Sequence, residues 1–455
     1  MLAEICVHTN IKIAELRNNL KQKEKATFRD VTLTELKAFL GVLIMTGVRK
    51  DNHLTTEEMW SSEYGCNFYR SVFSERRFNF LIRALRFDDV ITRRIRLNAN
   101  GGDRFAHIRK IWDEFIANCI TNYRPGPHLT VDEQLLAFRG RCIFRMYIKN
   151  KPAKYGIKLL MTCDSDTYYC LNAIPYLGKG TTKKAKGVGL GQHFTIELVA
   201  PFKRPGRIVT LDNWFTSLQL ARALRKDKMH MVGTIRPKPY IPTQLLNSLK
   251  VGQTCALFNH GDRVTLLAQK VKTTKKIQFL STVHHRPTIV EKKKTEVHMF
   301  YNATKGGVDT FDWMCSQQSC SRKTRRWPLC VFYGMVNIAM NNSYIVYSHR
   351  PVNKNISRRK FGTNLAIALC RPHANIRLQQ ARYLPREVVS SILSVFDLPD
   401  PVATTSQQQK SDKRHRCKIC PSSATFRGKV LCIKCQKAMC PRHTCQLCIN
   451  CYNNE

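Results

Sequence analysis

The chain has 455 residues, 43% of them hydrophobic, and carries 75 Lys and Arg against 32 Asp and Glu, a formal net charge of +43. A chain this basic must neutralise a polyanion, nucleic acid before an acidic membrane surface, and its length gives room for roughly three domains with real cores. The charge is interleaved with apolar and aromatic residues, as in SRKTRRWPLCVFYGM, ISRRKFG and KVKTTKKIQFL, which excludes a low-complexity solubility tail.

Residues 1–127 read as helical: TLTELKAFLGVLIMTG, ERRFNFLIRALRF and IRKIWDEFIANCI all space apolar residues at the helical period. The opening MLAEICVHTNIKIAELRNNLKQKEK carries no secretory signal and looks like the interior of a helical domain, so a fragment or a shortened gene product is expected. FLGVLIMTGV, from Phe39 to Val48, reads as one amphipathic or buried helix, and no apolar run is expected to reach the roughly 20 residues of a membrane span.

From 128 to 238 the pattern changes to strands. CIFRMYI, YGIKLLMTCDS, YYCLNAIPYL, RIVTLDN and HMVGTIRP are short, rich in β-branched and aromatic residues, and bounded by Gly, Pro or Asn. LDNWFTSLQLARALRK is strand, turn and helix, an α/β unit. Residues 239–295 hold further strands (TCALFNH, RVTLLAQKV, IQFLSTV) in a Lys-rich setting and read as an insertion. Helix returns over 296–318 and 319–395, with WPLCVFYGMVNIAMNNSYIVYSH the most apolar stretch. Residues 396–412 read as a linker, and 413–455 as a cysteine-rich module.

Of the 19 cysteines, eleven are scattered between Cys6 and Cys370 and read as buried thiols of a reducing compartment. The other eight crowd into the last 39 residues as Cys417-x2-Cys420, Cys432-x2-Cys435, Cys440-x2-His443 and Cys448-x2-Cys451, with Cys445 left over. Two-residue spacers let both ligands of a pair reach one tetrahedral Zn²⁺ at about 2.3 Å, so four pairs supply two closed sites. In a cross-braced order the first and third pairs share one ion and the second and fourth share the other. Cys445-x2-Cys448 is an equally legal spacing, so Cys445 could displace a partner. So short a segment cannot fold on core burial alone, and the metal would supply the folding energy.

Four aspartates stand out: Asp132 in LTVDEQLLAFRGRC, Asp212 at the end of RIVTLDNWFTS, and Asp309 and Asp312 in KGGVDTFDWMC. Two Mg²⁺ ions about 3.5–4 Å apart, the usual arrangement for phosphodiester cleavage, require several carboxylates on one small site. Asp212 ends a strand and precedes a polar turn and a helix, which presents a carboxylate in a crevice. Any one of the four alone would read as a helix cap or a solvated charge; their combination in so basic a chain points to nucleic-acid chemistry.

LTVDEQLLAFRGRC, KPAKYGIKLLMTCDS, LDNWFTS, YNATKGGVDTFDWMCS and SRKTRRWP…YGMVNIA resemble the piggyBac transposases, over essentially the whole chain, and the Cys/His array is similar to that family's cysteine-rich domain. The resemblance implies an α/β fold with an RNase H-like catalytic core (128–238 and 296–318) interrupted by a β-rich insertion domain (239–295). It further implies a flanking helical dimerisation and DNA-binding domain (1–127 and 319–395) and a C-terminal cross-brace zinc domain. As activity it implies a nuclear, homodimeric, Mg²⁺-dependent transposase that cuts and pastes double-stranded DNA at TTAA targets through hairpin ends.

The family's catalytic aspartates fall on Asp132, Asp212 and Asp309, 80 and 97 residues apart, with the further acid of its last motif on Asp312. Arg236 and Lys238, in GTIRPKPYIP, resemble basic residues near target DNA, although this chain is one residue shorter between them; a solvated strand end is the equal alternative. Trp327, with Arg325 and Arg326 before it, resembles an aromatic near the hairpin, and reads also as a core residue at a helix start before Pro328. The chain departs from the family in lacking a long acidic region before its first helix and in placing Lys149 where Pro is common. A domesticated chromatin-binding protein that keeps the fold without moving DNA is the alternative reading. A RING- or PHD-like interaction module on a scaffold stands further off, since the Cys440/His443 order departs from both.

Overall fold

The computed structural model describes the chain apart from residues 19–25, 99–101, 179, 181–183, 239–240, 243–246, 287, 292–293, 400–413, 422, 432–434, 436 and 444–455. The chain divides into two compact units, one of Met1–Gly65 and Phe73–Pro372, the other of Cys66–Val72 and His373–Glu455.

The first unit opens with helices α1 (Leu2–Asn18), α2 (Leu33–Arg49) and α3 (Thr56–Trp60), and, after α4 (Asn67–Val72) of the other unit, continues with α5 (Glu75–Ala84), α6 (Val90–Asn98) and α7 (Arg109–Thr121). Polar residues ahead of the apolar run set the starts of α2 and α5: the Thr32 hydroxyl accepts from the Glu35 N–H and Ser74 from the Arg77 N–H. A buried ion pair ties these helices together. Arg77 reaches both Glu35 oxygens, at 2.9 and 2.7 Å, and donates its remaining N–H groups to the carbonyls of Thr27, Arg29 and Asp30.

A nine-stranded mixed sheet follows. Its strands are β1 (His128–Ala137), β2 (Arg145–Tyr147), β3 (Tyr155–Asp164), β4 (Cys170–Pro175), β5 (Ile208–Leu211), β6 (His230–Thr234), β7 (Thr254–Asn259), β8 (Val264–Lys272) and β9 (Lys275–Ser281). β1 pairs antiparallel with β3, and β3 with β2 and β4; on its other side β1 pairs parallel with β5, and β5 with β6. The strands at 254–281 do not stand apart: β9 hydrogen-bonds antiparallel to β6, and β8 and β7 extend the same sheet.

Between these strands lie α8 (Leu190–Val199) and α9 (Leu218–Lys226). They cover one face, where Phe194, Leu198, Leu220 and Leu224 join Leu129, Val131, Val209, Leu211 and Met231 in the core. The sequence pattern gives no sign of α8. LGQHFTIELV starts after a glycine and carries β-branched residues, so packing of Phe194 and Leu198 against the sheet decides its state over local propensity.

Helices α10 (Glu296–Thr304) and α11 (Gly307–Gln317) belong to the opposite face. A buried hydroxyl cluster fastens them there. The Thr130 hydroxyl donates to the Thr304 carbonyl at 2.6 Å, Ser165 lies 2.8 Å from Thr130, and the Thr210 and Thr304 hydroxyls are 2.7 Å apart. Gly307 lets α11 come this close: a Cβ on it would fall 2.4 Å from the Thr130 hydroxyl and 2.7 Å from its Cβ. Gly307→Ala is therefore expected to cost about 1–3 kcal/mol through overpacking, since Thr130 is held by hydrogen bonds and cannot rotate away freely. Thermal denaturation of the full chain checks this; an unchanged or raised Tm would mean the helix lifts without penalty.

Helix α12 (Trp327–Ser348) corrects one expectation, because by length and hydropathy it could cross a membrane. It is instead a core helix of the first unit, with 78% of its most apolar window buried, and its interior Asn residues are matched with partners. Asn337 accepts from the Cys320 N–H and Asn342 from the Cys170 N–H, each at 2.9 Å. The chain runs on through α13 (Arg358–Gln379) and α14 (Arg386–Phe396).

In the second unit α4 packs on α14, with the Phe68 and Phe396 rings 5.8 Å apart, and Arg377 donates to the Arg70 and Ser71 carbonyls at 2.7 Å. Its cysteine-rich end is built on two short ladders, β10 (His415–Arg416) with β11 (Arg427–Gly428), and β12 (Val430–Leu431) with β13 (Ala438–Met439).

Candidate active site and zinc cluster

The parallel ladder of β1 and β5 runs His128 with Ile208 through Val131 with Leu211. Asp132 and Asp212 are the residues that directly follow the last pair of this ladder, and the Asp212 charge acts on the Asp132 carboxyl. Alternation along β1 puts Asp132 on the face of Thr130, the face that receives α10 and α11, while Asp212 stands at the start of the turn beyond β5, two residues after Thr210. Asp212 closes a tight turn: its carboxylate accepts from the Trp214 N–H at 2.8 Å and its carbonyl from the Thr216 hydroxyl at 2.8 Å. Gly233 makes room for that turn, since a Cβ there would meet the Thr216 hydroxyl at 2.1 Å.

Asp309 and Asp312 are three apart on α11 and share one helix face. Asp312 accepts from the Gln134 amide at 2.9 Å, and Gln134 lies on the same β1 face as Asp132. The Lys151 ammonium lies 3.5 Å from Asp309 and 3.0 Å from the Glu133 carbonyl. Gln134 and Lys151 are absent from a reading of motifs. The period of two from Asp132 could have singled out Gln134; nothing local distinguishes Lys151 from the other lysines of KNKPAK.

Burial, then the charges of Glu133, Asp212 and Asp309, push the Asp132 carboxyl up to about 8. Burial also raises Asp212, against lowering hydrogen bonds from Trp214 and Phe215, and raises Asp312, against Gln134 and Lys151. Hard oxygen donors crowded into mutual repulsion fit a divalent cation such as Mg²⁺. They are more loosely gathered than the three cysteines and one histidine described below, the one group among the described residues with all ligand atoms within 4.8 Å of one another.

Of the basic and aromatic candidates, Arg236 is exposed and its Nε donates to the side-chain Oδ1 of Asn213 at 2.7 Å, next to Asp212; Lys238 is exposed two residues further on. Trp327 is half-buried in an aromatic cluster with Phe105, His107 and Phe144, at ring distances of 5.5, 5.2 and 5.0 Å. Arg325 is exposed. The Arg326 guanidinium instead caps α5, donating to the carbonyls of Ile82 and Leu85, and burial followed by repulsion from Arg86 lowers its pKa to about 10.

At the C-terminus Cys417, Cys420, Cys440 and His443 converge. Tetrahedral zinc with sulfur at 2.3 Å and nitrogen near 2.0–2.1 Å places ligands about 3.8 Å apart for two sulfurs and about 3.5 Å for sulfur and nitrogen. Cys420 and Cys440 are 3.8 Å apart, and the His443 Nδ1 lies 3.6, 3.5 and 3.5 Å from Cys417, Cys420 and Cys440. Burial alone would raise the Cys417 thiol, but backbone N–H groups and His443 bring it down to about 6, while burial and the neighbouring Cys417 and Cys440 sulfurs push the Cys420 thiol up to about 11. The structure thus unites the first and third pairs of the array. Cys435 packs against Met439, while Cys432, Cys445, Cys448 and Cys451 lie outside the described residues.

A family described as Transposase IS4 matches residues 1–344. A solved synaptic complex of piggyBac transposase with hairpin DNA is 43% identical, covers 99% of this chain and 94% of that one, and superposes with a TM-score of 0.82. The human piggyBac transposable element-derived protein 3 is 24% identical over 93% of this chain and 71% of its own length. The human piggyBac transposable element-derived protein 2 is 21% identical over 86% and 67%.

Proposed function

The chain belongs to the piggyBac transposase family, and on that premise we propose that it is an active, nuclear, homodimeric DNA transposase that cuts and rejoins double-stranded DNA at TTAA sites. The α/β fold and the DNA-bound relative agree with a DNA-cleaving and strand-transferring enzyme. The observation that supports the reading is that Asp132 and Asp212 each follow the last pair of the β1–β5 ladder, while the helix that bears Asp309 and Asp312 is tied to β1 by the Gln134–Asp312 hydrogen bond.

In this mechanism Asp132, Asp212 and Asp309, with Asp312 on the metal or directly behind it, would hold two Mg²⁺ ions on an RNase H-like core. Such ions would lower the pKa of the attacking water or 3′-OH and neutralise the leaving oxygen. Gln134 holds the Asp312 carboxylate, which fixes the first turn and a half of α11 against β1 and so sets the position of Asp309. Arg236 and Lys238 face target DNA, with Asn213 orienting the Arg236 guanidinium. Arg325 contacts phosphate, Trp327 offers a ring face to an unpaired end, and Arg326 supports both by capping α5. The Cys/His array holds two Zn²⁺ ions and reads the transposon end.

The test is excision in cells of a reporter interrupted by matching inverted repeats flanked by TTAA. The reading predicts restored reporters whose junctions carry a single unaltered TTAA. Binding to the repeats without any excision would point to a domesticated DNA-binding protein.

A further inference from the structure

The loop between β2 and β3 is folded tightly. Lys151 N donates to the Ile148 carbonyl at 3.2 Å, Ile148 N to the Lys154 carbonyl at 2.7 Å, and Lys154 adopts a φ of 53°. Pro152 disfavours helical backbone at Lys151, which adds to the stiffness of the turn. The Lys151 side chain reaches β1. The ammonium lies 3.0 Å from the Glu133 carbonyl and 3.5 Å from Asp309, with the side chain only 20% exposed.

A neutral carbonyl and one carboxylate take at most two of its three N–H donors, which leaves a further donor at the edge of the acidic cluster. Holding a lysine this way is worth little as a surface ion pair. It does, however, place a fixed positive charge where a phosphate must approach four carboxylates that repel it.

We propose that Lys151 is a catalytic residue that contacts a non-bridging oxygen of the reacting phosphate. This rests on the reading of Asp132, Asp212 and Asp309 as the cleavage centre. As the water or 3′-OH oxygen bonds to phosphorus and the P–O3′ bond breaks, charge on the non-bridging oxygens is met by an ammonium already in position. The Glu133 carbonyl would still hold the ammonium if Asp309 served as a metal ligand.

The experiment is single-turnover cleavage of a pre-bound transposon-end duplex by the full-length protein in Mg²⁺, with end affinity measured in parallel. Lys151→Ala is expected to slow cleavage about 10²–10³-fold with end affinity changed less than about threefold, the range for loss of one preorganised donor. Lys151→Arg should recover part of the rate and Lys151→Met none. Lys151→Met keeps the aliphatic stem, so it separates loss of charge from loss of packing should the Ala variant melt early. A wild-type rate in the Met variant, or a rate loss matched by an equal loss of affinity, would overturn the proposal. Asp132→Asn is the control: if it cleaves normally the cleavage centre itself is misassigned, whereas an inactive Asp132→Asn beside an active Lys151→Met refutes the lysine alone.

Discussion

Replacing Asp132, Asp212 or Asp309 singly by Ala is expected to lower excision by at least about a thousand-fold while leaving transposon-end binding within a few fold. Each carboxylate is proposed to hold metal directly, so its loss vacates a site where no neighbour can substitute. Asp132 and Asp212 are fixed by the β1 and β5 backbone, and Asp309 by the start of α11. Asp312 behaves differently because it also accepts from Gln134, and losing a carboxylate that acts through another group typically costs about 10–100-fold. Excision counts and a gel shift on the same four variants test the ordering. Wild-type excision from any of the first three would remove that residue from the centre.

The second large effect is expected from zinc. Structural zinc contributes roughly 10–16 kcal/mol of apparent binding energy in modules of this size, more than so small a segment can gain from its few buried side chains such as Met439. The full-length chain should carry two zinc ions, and Cys420→Ser should reduce the content to one and unfold the segment around residues 414–443. The ratio of end-specific to non-specific binding should then fall about tenfold or more, with non-specific binding little changed, because that part comes from charge spread over the whole chain. Metal analysis and competition binding measure both quantities. Equal loss on specific and scrambled duplexes would mean the module supplies charge alone, and Cys445→Ser should be tolerated throughout.

Much of this was legible where the signal is local. Helix starts at Thr32 and Ser74 follow from a polar cap before an apolar run, and Asp212 was visible as a strand-end carboxylate because the DNW turn follows it directly. The Cys417/Cys420 and Cys440/His443 pairs follow from spacer length, which fixes what one tetrahedral ion can reach. What stayed hidden depends on contacts distant in sequence. The fusion of β9 to β6 is a pairing that no local pattern encodes, and α8 owes its state to the sheet beneath it. Arg326 looked like any other member of a basic run, yet its guanidinium is spent on the carbonyls of a helix more than 240 residues away. Burial of the apolar helix α12 likewise required knowing what surrounds it.

The most direct test of the central claim is strand cleavage of a labelled transposon-end duplex by the purified chain, comparing Mg²⁺, chelator, and the Asp132→Asn variant in Mg²⁺. The account predicts a nick at the transposon end that leaves a 3′-OH in Mg²⁺ alone, and no product with chelator or with Asp132→Asn, although both still bind the duplex. Cleavage by Asp132→Asn at the wild-type rate, or cleavage that survives complete removal of divalent metal, would contradict it.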